Sequence, residues 1–330
     1  MKDRVDKARS IAYTESIDGA VRRLTKGIEP AEHREVLMLC LSGNVSPAVA
    51  LMQLLIDTED AAAVRATVDE ITIRAAALSR SSDSLLRDRV DELTQLMVEN
   101  ELGCERIAEM LRANMDSPEM APTVEAGIAF CERLFDWSVQ QSEEASVALY
   151  SLGNPTLLER ATREIITQLE QWNVIGRDKT VLDIGCGIGR IAAELGPRAR
   201  DVHGIDVSRG MINIALRRCE PLTNVHLLKT SGHDLREFVD ESFDTAIAVD
   251  TFPYINQSGA ALVESYFAEV ARVLRPESDF VILNYSYRGD DQADRDDVGR
   301  MAKDYGFDVV ISGERPFSVW DGSAFRLRKR

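Results

Sequence analysis

Val181-Leu182-Asp183-Ile184-Gly185-Cys186-Gly187-Ile188-Gly189-Arg190 is the stretch on which the fold turns. A short apolar run of the kind that forms a buried strand leads straight into a loop with glycine at every second position, and a helical pattern follows. Glycine lets a backbone approach a ligand closely and turn sharply from strand into helix. On spacing alone, the loop suits a nucleoside or nucleotide held at the carboxyl edge of a parallel sheet. A dinucleotide fingerprint, GxGxxG, closes on a third glycine against a pyrophosphate. Here that place is Arg190, so the third glycine comes one position early. Asp183, two residues before the first glycine, fits badly beside a pyrophosphate and well beside an ammonium group.

Working outward, short apolar runs alternate with helical patterns from Thr180 to the end of the chain. Strands are expected at 181–184, 202–205, 225–228, 243–249, 280–284, 309–311 and 324–327, with helices over about 188–196, 209–219, 259–274 and 293–305. This alternation predicts βαβ units on a mostly parallel sheet. Upstream, Asn154-Pro155 opens a helix with Leu158, Ala161, Ile165, Leu169 and Trp172 on one face. Residues 1 to 145 have another texture. Their apolar residues recur at three- and four-residue steps, and turn residues fall at Gly27–Pro30, Gly43–Pro47, Ser79–Ser84, Gly103 and Met115–Pro122. Six or seven helices, packed as a bundle through short connections, are expected there. The fold class is therefore α/β, a doubly wound sheet over residues 146–330, preceded by an all-α domain over residues 1–145.

The chain has 330 residues and a net charge of −16, and residues 1–150 hold 27 acidic against 16 basic side chains. Such a surface repels phosphate backbones, which argues against a nucleic-acid partner. The basic tail, Arg326-Leu327-Arg328-Lys329-Arg330, alternates like an edge strand with outward charges. Five scattered cysteines form no CxxC pair and no metal-spaced cluster, so reduced thiols in a cytoplasmic protein are expected, without zinc. The start, Met1-Lys2-Asp3-Arg4, has no signal-peptide pattern, and no apolar run reaches membrane-spanning length.

From about Tyr150 onward the sequence resembles the class I S-adenosylmethionine-dependent methyltransferases. The glycine loop matches the family's (D/E)xGxGxG motif through Asp183, Gly185, Gly187 and Gly189, with Cys186 inside it. GIDVSRGMI matches the end of the second strand, where the resemblance makes Asp206 the ribose ligand, followed by Val207, and sets Met211 against the adenine. Ser242-Phe243-Asp244, Val273-Leu274-Arg275-Pro276 and the closing pattern from Gly306-Phe307 follow in the family's order. The resemblance implies S-adenosylmethionine as cofactor, strand order 3-2-1-4-5-7-6, and methyl transfer to O, N or C of a small molecule. One departure stands out. The family commonly has an Asp after the third strand, where this chain has Ser231, followed by Gly232 and His233, so these three become the adenine-edge candidates.

In-line methyl transfer draws much of its acceleration from orientation, and a base is needed only for an acceptor with a high pKa. Residues at the carboxyl ends of strands four and five are expected to face the methyl group: Asp250, Thr251, Tyr254, Asn284, Tyr285 and Tyr287. Asp250 also borders the cofactor, and Asp250 with Tyr254 are the acid/base or orienting candidates. Tyr150, before the leading helix, and Trp320, in the last hairpin, are candidate pocket walls beside Tyr254, Tyr285 and Tyr287. No metal is expected. The chain lacks the Asp-Asn pair of metal-dependent relatives, and the acidic run 290–297 lacks calcium-loop spacing, reading instead as a solvated helix start. A homo-oligomer or protein partner through the N-terminal helices is left open. The rival readings are a nicotinamide-dependent oxidoreductase, disfavoured by Arg190, and a non-catalytic sensor of S-adenosylmethionine. A protein methyltransferase is a further rival; the Asp250-Thr251-Phe252-Pro253-Tyr254 segment lacks the Pro-Pro-Tyr pattern of amide and adenine N-methylation.

Overall fold

The computed structural model describes residues 18–78, 84–113 and 121–330. The expected breaks at Ser79–Ser84 and Met115–Pro122 fall mostly outside the described residues, as does the start of the chain. The residues gather into two compact units that interleave along the sequence. The first takes residues 1–115, 148–158 and 318–321; the second takes 116–147, 159–317 and 322–330.

The first unit is helical: α1 (18–25), α2 (Ala31–Ser42), α3 (Pro47–Thr58), α4 (Ala61–Ala76), α5 (Ser84–Glu99) and α6 (Glu101–Ala113). Local chemistry sets the boundaries. Gly43 closes α2 in the left-handed region, Ser46 caps α3 with Pro47 behind it, and Asp60 caps α4 by accepting from the N–H groups of Ala62 and Ala63. Leu37, Leu41, Leu51, Leu54, Leu55, Val64 and Ile71 are fully buried. The segment 148–158 packs tightly here, because a Cβ on Gly103 would stand 1.9 Å from the Leu152 carbonyl oxygen. Asn154 donates to the Asn100 side chain at 2.7 Å.

The second unit holds a seven-stranded sheet in the order β3-β2-β1-β4-β5-β7-β6. The strands are β1 (Thr180–Ile184), β2 (Asp201–Asp206), β3 (Val225–Lys229), β4 (Phe243–Val249), β5 (Leu274–Leu283), β6 (Phe307–Glu314) and β7 (Ala324–Lys329). The first five pair in parallel, while β7 runs antiparallel to both β5 and β6. Its helices are α7 (Val124–Gln141), α8 (Glu143–Val147), α9 (Pro155–Gln171, whose first turn counts with the other unit), α10 (Arg190–Leu195), α11 (Arg209–Cys219), α12 (Phe252–Gln257), α13 (Ala260–Val273) and α14 (Asp291–Asp304). Phe252, Phe267, Phe280, Tyr285, Phe307 and Phe325 form the aromatic heart of one core layer.

Three expectations need correction. The basic tail is not an edge strand: β7 lies inside the sheet, and Arg326 and Arg328 close on the buried Asp279 at 2.8 and 3.1 Å. The strand expected at 280–284 begins at Leu274, because the chain leaves α13 directly into extended backbone opposite Phe243. Among the described residues up to 147 there are eight helices where six or seven were expected up to 145, since Ser142 interrupts the last stretch with extended dihedrals and sets α8 apart. The acidic run behaves as read. Asp290 caps α14 through the N–H groups of Gln292 and Ala293, while Asp294 and Asp297 pair with Arg288. Among the described residues there is no cluster of metal-ligating side chains, and no helix is long and apolar enough to cross a membrane.

Candidate functional site

β1 is buried along its length and delivers Asp183, 1% exposed, to the base of the glycine loop. The loop is tied down on both sides. The N–H groups of Gly185 and Cys186 donate to the Ile205 carbonyl at 2.8 and 2.9 Å, and the Thr251 hydroxyl donates to the Ile184 carbonyl at 2.9 Å. Gly185 and Gly187 have φ of 71° and 52°, which alone favours glycine. Space enforces the same choice: a Cβ on Gly185 would meet Thr251 Oγ1 at 2.2 Å, and one on Gly187 would meet Val147 at 2.8 Å. Cys186 is buried inside the loop, its thiol pushed well up by burial, as befits a filler and not a nucleophile.

Two acids converge on this loop. Asp183 Oδ2 is buried without a hydrogen-bond partner. Burial pushes its carboxyl up to about 7, opposed by Arg190 and helped by Asp206. Arg190 is itself buried, and its guanidinium donates to Thr162 at 3.0 Å. Asp206, at the end of β2, accepts from the N–H groups of Gly187 at 2.9 Å and Ser208 at 2.8 Å. Burial raises its carboxyl to about 6, with those hydrogen bonds pulling the other way. The ends of the adjacent strands β1 and β2 thus bring two buried carboxyl groups to the glycine loop, one of them with an oxygen that has no hydrogen-bond partner.

The far wall comes from a helix that the sequence reading assigned elsewhere. α7 belongs to the second unit and reaches the start of α11, where Asp136 Oδ1 accepts from the Ser208 hydroxyl at 2.6 Å and the Gly210 N–H at 2.8 Å. Glu132 pairs with Lys229 at the end of β3 at 3.0 Å. Ile128 lies against Gly232, whose own Cβ position is filled by Val207. Cys131, its thiol pushed up to about 11 by burial, sits near Ser258. Met211 is buried on α11, Ser231 is exposed, and His233 is half-buried with its carbonyl accepting from Ser265. Nothing local in the sequence announces Asp136: one acid on an amphipathic helix shows no sign of a partner 72 residues away.

At the ends of β4 and β5, Asp250 and Asn284 both adopt left-handed backbone, φ 57° and 70°. Asp250 Oδ1 accepts from Asn284 at 2.8 Å and from the Tyr287 hydroxyl at 3.0 Å. Tyr254 stands between two rings set edge-on to it, Phe135 at 4.9 Å and Tyr287 at 5.7 Å. Burial, and then the Asp250 charge, raise its hydroxyl's pKa, so it donates hydrogen bonds at neutral pH and makes a poor base. Tyr285 is not at this wall: its ring is buried in the core, stacked on Phe252 at 5.8 Å. Both tyrosines lie beyond the end of β5 at Leu283, after the left-handed turn at Asn284, so strand alternation does not set their directions. Tyr150 and Trp320 stack at 5.7 Å, buried within the helical unit.

Residues 181–277 match a family model described as a methyltransferase domain. Demethylmenaquinone methyltransferase of Tropheryma whipplei is 35% identical over 107 residues, covering 32% of this chain and 42% of that protein. Phosphoethanolamine N-methyltransferase 1 of Arabidopsis thaliana is 32% identical over 152 residues, covering 41% of this chain and 30% of that protein. A crystal structure of Haemonchus contortus phosphoethanolamine N-methyltransferase 1, in complex with phosphoethanolamine and S-adenosylhomocysteine, aligns with 62% of this chain and 49% of its own at 17% identity, TM-score 0.49. Both sequence matches span less than half the length of the relative.

Proposed function

We propose that this chain, which carries a class I S-adenosylmethionine-dependent methyltransferase domain, moves the methyl group of S-adenosylmethionine to a small-molecule acceptor. The observation that carries the reading is the orphaned, buried Asp183 Oδ2 at the foot of a loop in which glycines keep the space for a ligand open. The residues present fit the cofactor. Asp183 would hold its ammonium, the backbone of Gly185 and Gly187 its amino-acid portion, and Asp206 its ribose hydroxyls. Val207, Met211 and the Ser231–His233 loop would hold the adenine. When bound, the sulfonium supplies an electrophilic methyl carbon. The chain's part is then orientation: Asp250, fixed by Asn284 and Tyr287, and Tyr254 hold the acceptor in line, while α7 keeps water from the reacting atoms. Arg190, buried where a dinucleotide fold needs glycine, stands against nicotinamide binding.

The test is binding followed by turnover. S-adenosylhomocysteine should raise the melting temperature and NAD(P) should leave it unchanged; the reverse would sink the reading. Asp206→Ala should raise the S-adenosylhomocysteine Kd roughly tenfold or more, the scale of a lost charge-assisted hydrogen bond. An unchanged Kd would remove Asp206 from the site.

Asp136 gives a separate prediction. Asp136→Ala should weaken S-adenosylhomocysteine about fivefold, by releasing α7 from the first turn of α11, at a cost of about 1 kcal/mol in helix capping. Calorimetric titration measures it, and an unaltered Kd would show that α7 only packs.

A further inference from the structure

One helix devotes its polar side to the stretch that follows β3. Ser265, Tyr266, Glu269 and Arg272 on α13 have the spacing of residues on one side of a helix. The Ser265 hydroxyl donates to the His233 carbonyl and the Tyr266 hydroxyl to the Gly232 carbonyl, each at 3.1 Å. Glu269, gripped by Arg272, accepts from the Leu235 N–H at 3.0 Å. On the other side, the Thr230 N–H donates to the Asp206 carbonyl at 2.9 Å. Between these anchors sits Gly232, the residue with the most backbone freedom to lose, at φ 80°. It is buried, and a Cβ there would meet Val207 at 2.5 Å and Ile128 at 3.1 Å. Its carbonyl is satisfied, but its N–H has no acceptor among the described residues. A buried amide donor without a partner costs free energy unless something outside the chain accepts from it.

Resting on the methyltransferase reading above, we infer that Tyr266 is a positioning residue for the purine. By fixing the Gly232 carbonyl, it holds the Gly232 N–H ready to donate to adenine N1, the ring nitrogen beside the 6-amino carbon. The tyrosine itself does not touch the ligand. Its hydroxyl stays a donor because burial, and then the Asp206 charge, push its pKa up. The carboxylate nearest in sequence, Asp234, is taken by Arg236, so the base is read through the backbone. Ser265 supports the same turn from the next carbonyl along.

The probe pair is S-adenosylhomocysteine and its 1-deaza analogue, which carries C–H in place of N1 and keeps the 6-amino group. Each is titrated into the full chain. The analogue should bind about tenfold more weakly, the scale of a buried donor left unpaired. Tyr266→Phe should weaken S-adenosylhomocysteine about fivefold and barely move the analogue, so that the ratio shrinks to about two. Ser265→Ala should shrink the ratio too, and decides the matter if melting curves show that Tyr266→Phe does not fold. Equal affinities in the unaltered chain overturn the inference, as does a variant that weakens both ligands alike or leaves S-adenosylhomocysteine unaffected. In each of those cases the methyltransferase reading stands. Failure of S-adenosylhomocysteine to bind the unaltered chain overturns both.

Discussion

Asp183→Asn should raise the Kd for S-adenosylhomocysteine about 100-fold while leaving the ligand-free protein as stable as before, or more so. Two separate terms produce these opposite signs. A buried ion pair that loses one partner costs about 3 kcal/mol or more, which is the 100-fold. Without the ligand, that carboxylate is a buried charge offset in part by Arg190, with Oδ2 unpartnered, and the amide removes the charge. The pH dependence follows from the same group. Its carboxyl sits at about 7 in the folded chain against 3.8 for an ordinary Asp, because burial disfavours the charge. The folded state therefore holds a proton that the unfolded chain has lost, and the ligand-free protein should lose stability as pH rises from about 4 through 7. Ligand binding runs the other way. The ammonium needs the charged form, so affinity should strengthen from pH 6 to 8, with proton release on binding in the lower part of that range. Calorimetry in buffers of different ionisation enthalpy reads this directly. A pH-flat Kd, with Asp183→Asn binding normally, would take Asp183 out of the site.

Gly185→Ala should abolish cofactor binding and lower the melting temperature. The new methyl group would stand 2.2 Å from Thr251 Oγ1 and 2.5 Å from its Cγ2, at a backbone φ of 71°. Overpacking of this kind costs roughly 1–3 kcal/mol, and left-handed backbone at alanine adds about 1. Thr251 cannot simply rotate away, since its hydroxyl anchors the loop through the Ile184 carbonyl. Adding Thr251→Ala should therefore restore part of the stability lost in Gly185→Ala, although alone it destabilises. Additive losses in that cycle would mean that the two residues do not meet.

The sheet was legible because its central strands β1 and β4 are buried and read as apolar runs, and because the glycine loop fixes one crossover in the sequence. Six of the seven strands lie within three residues of where periodicity puts them; β5 departs because Leu274–Asp279 is too polar to read as strand, Arg275, Glu277 and Asp279 included. The two buried acids of the candidate site, Asp183 and Asp206, could be singled out too, since both sit at strand ends beside or opposite the glycine loop. What escaped was everything that folding brings from far along the chain. Phe135 and Asp136 look like ordinary helix residues, and only their packing on Tyr254 and the α11 start gives them a part. Tyr285 failed for another reason: it follows the left-handed turn at Asn284, just past the end of β5, and the sequence does not show that this turn sends its ring into the core against Phe252.

The interleaving of the two units bears on how such a gene can be cut and recombined. A crossover at 145/146, where the texture of the sequence changes, would hand the sheet to one parent and Ile128, Phe135 and Asp136 to the other. The recombinant would keep its glycine loop and lose the helix that meets it. The same cut would separate α2–α6 from residues 148–158 and 318–321, which complete their unit. A junction before Val124 would keep α7 with the sheet, while any single junction between α6 and residue 148 divides the helical unit. For inheritance, the sheet and α7 are one cassette.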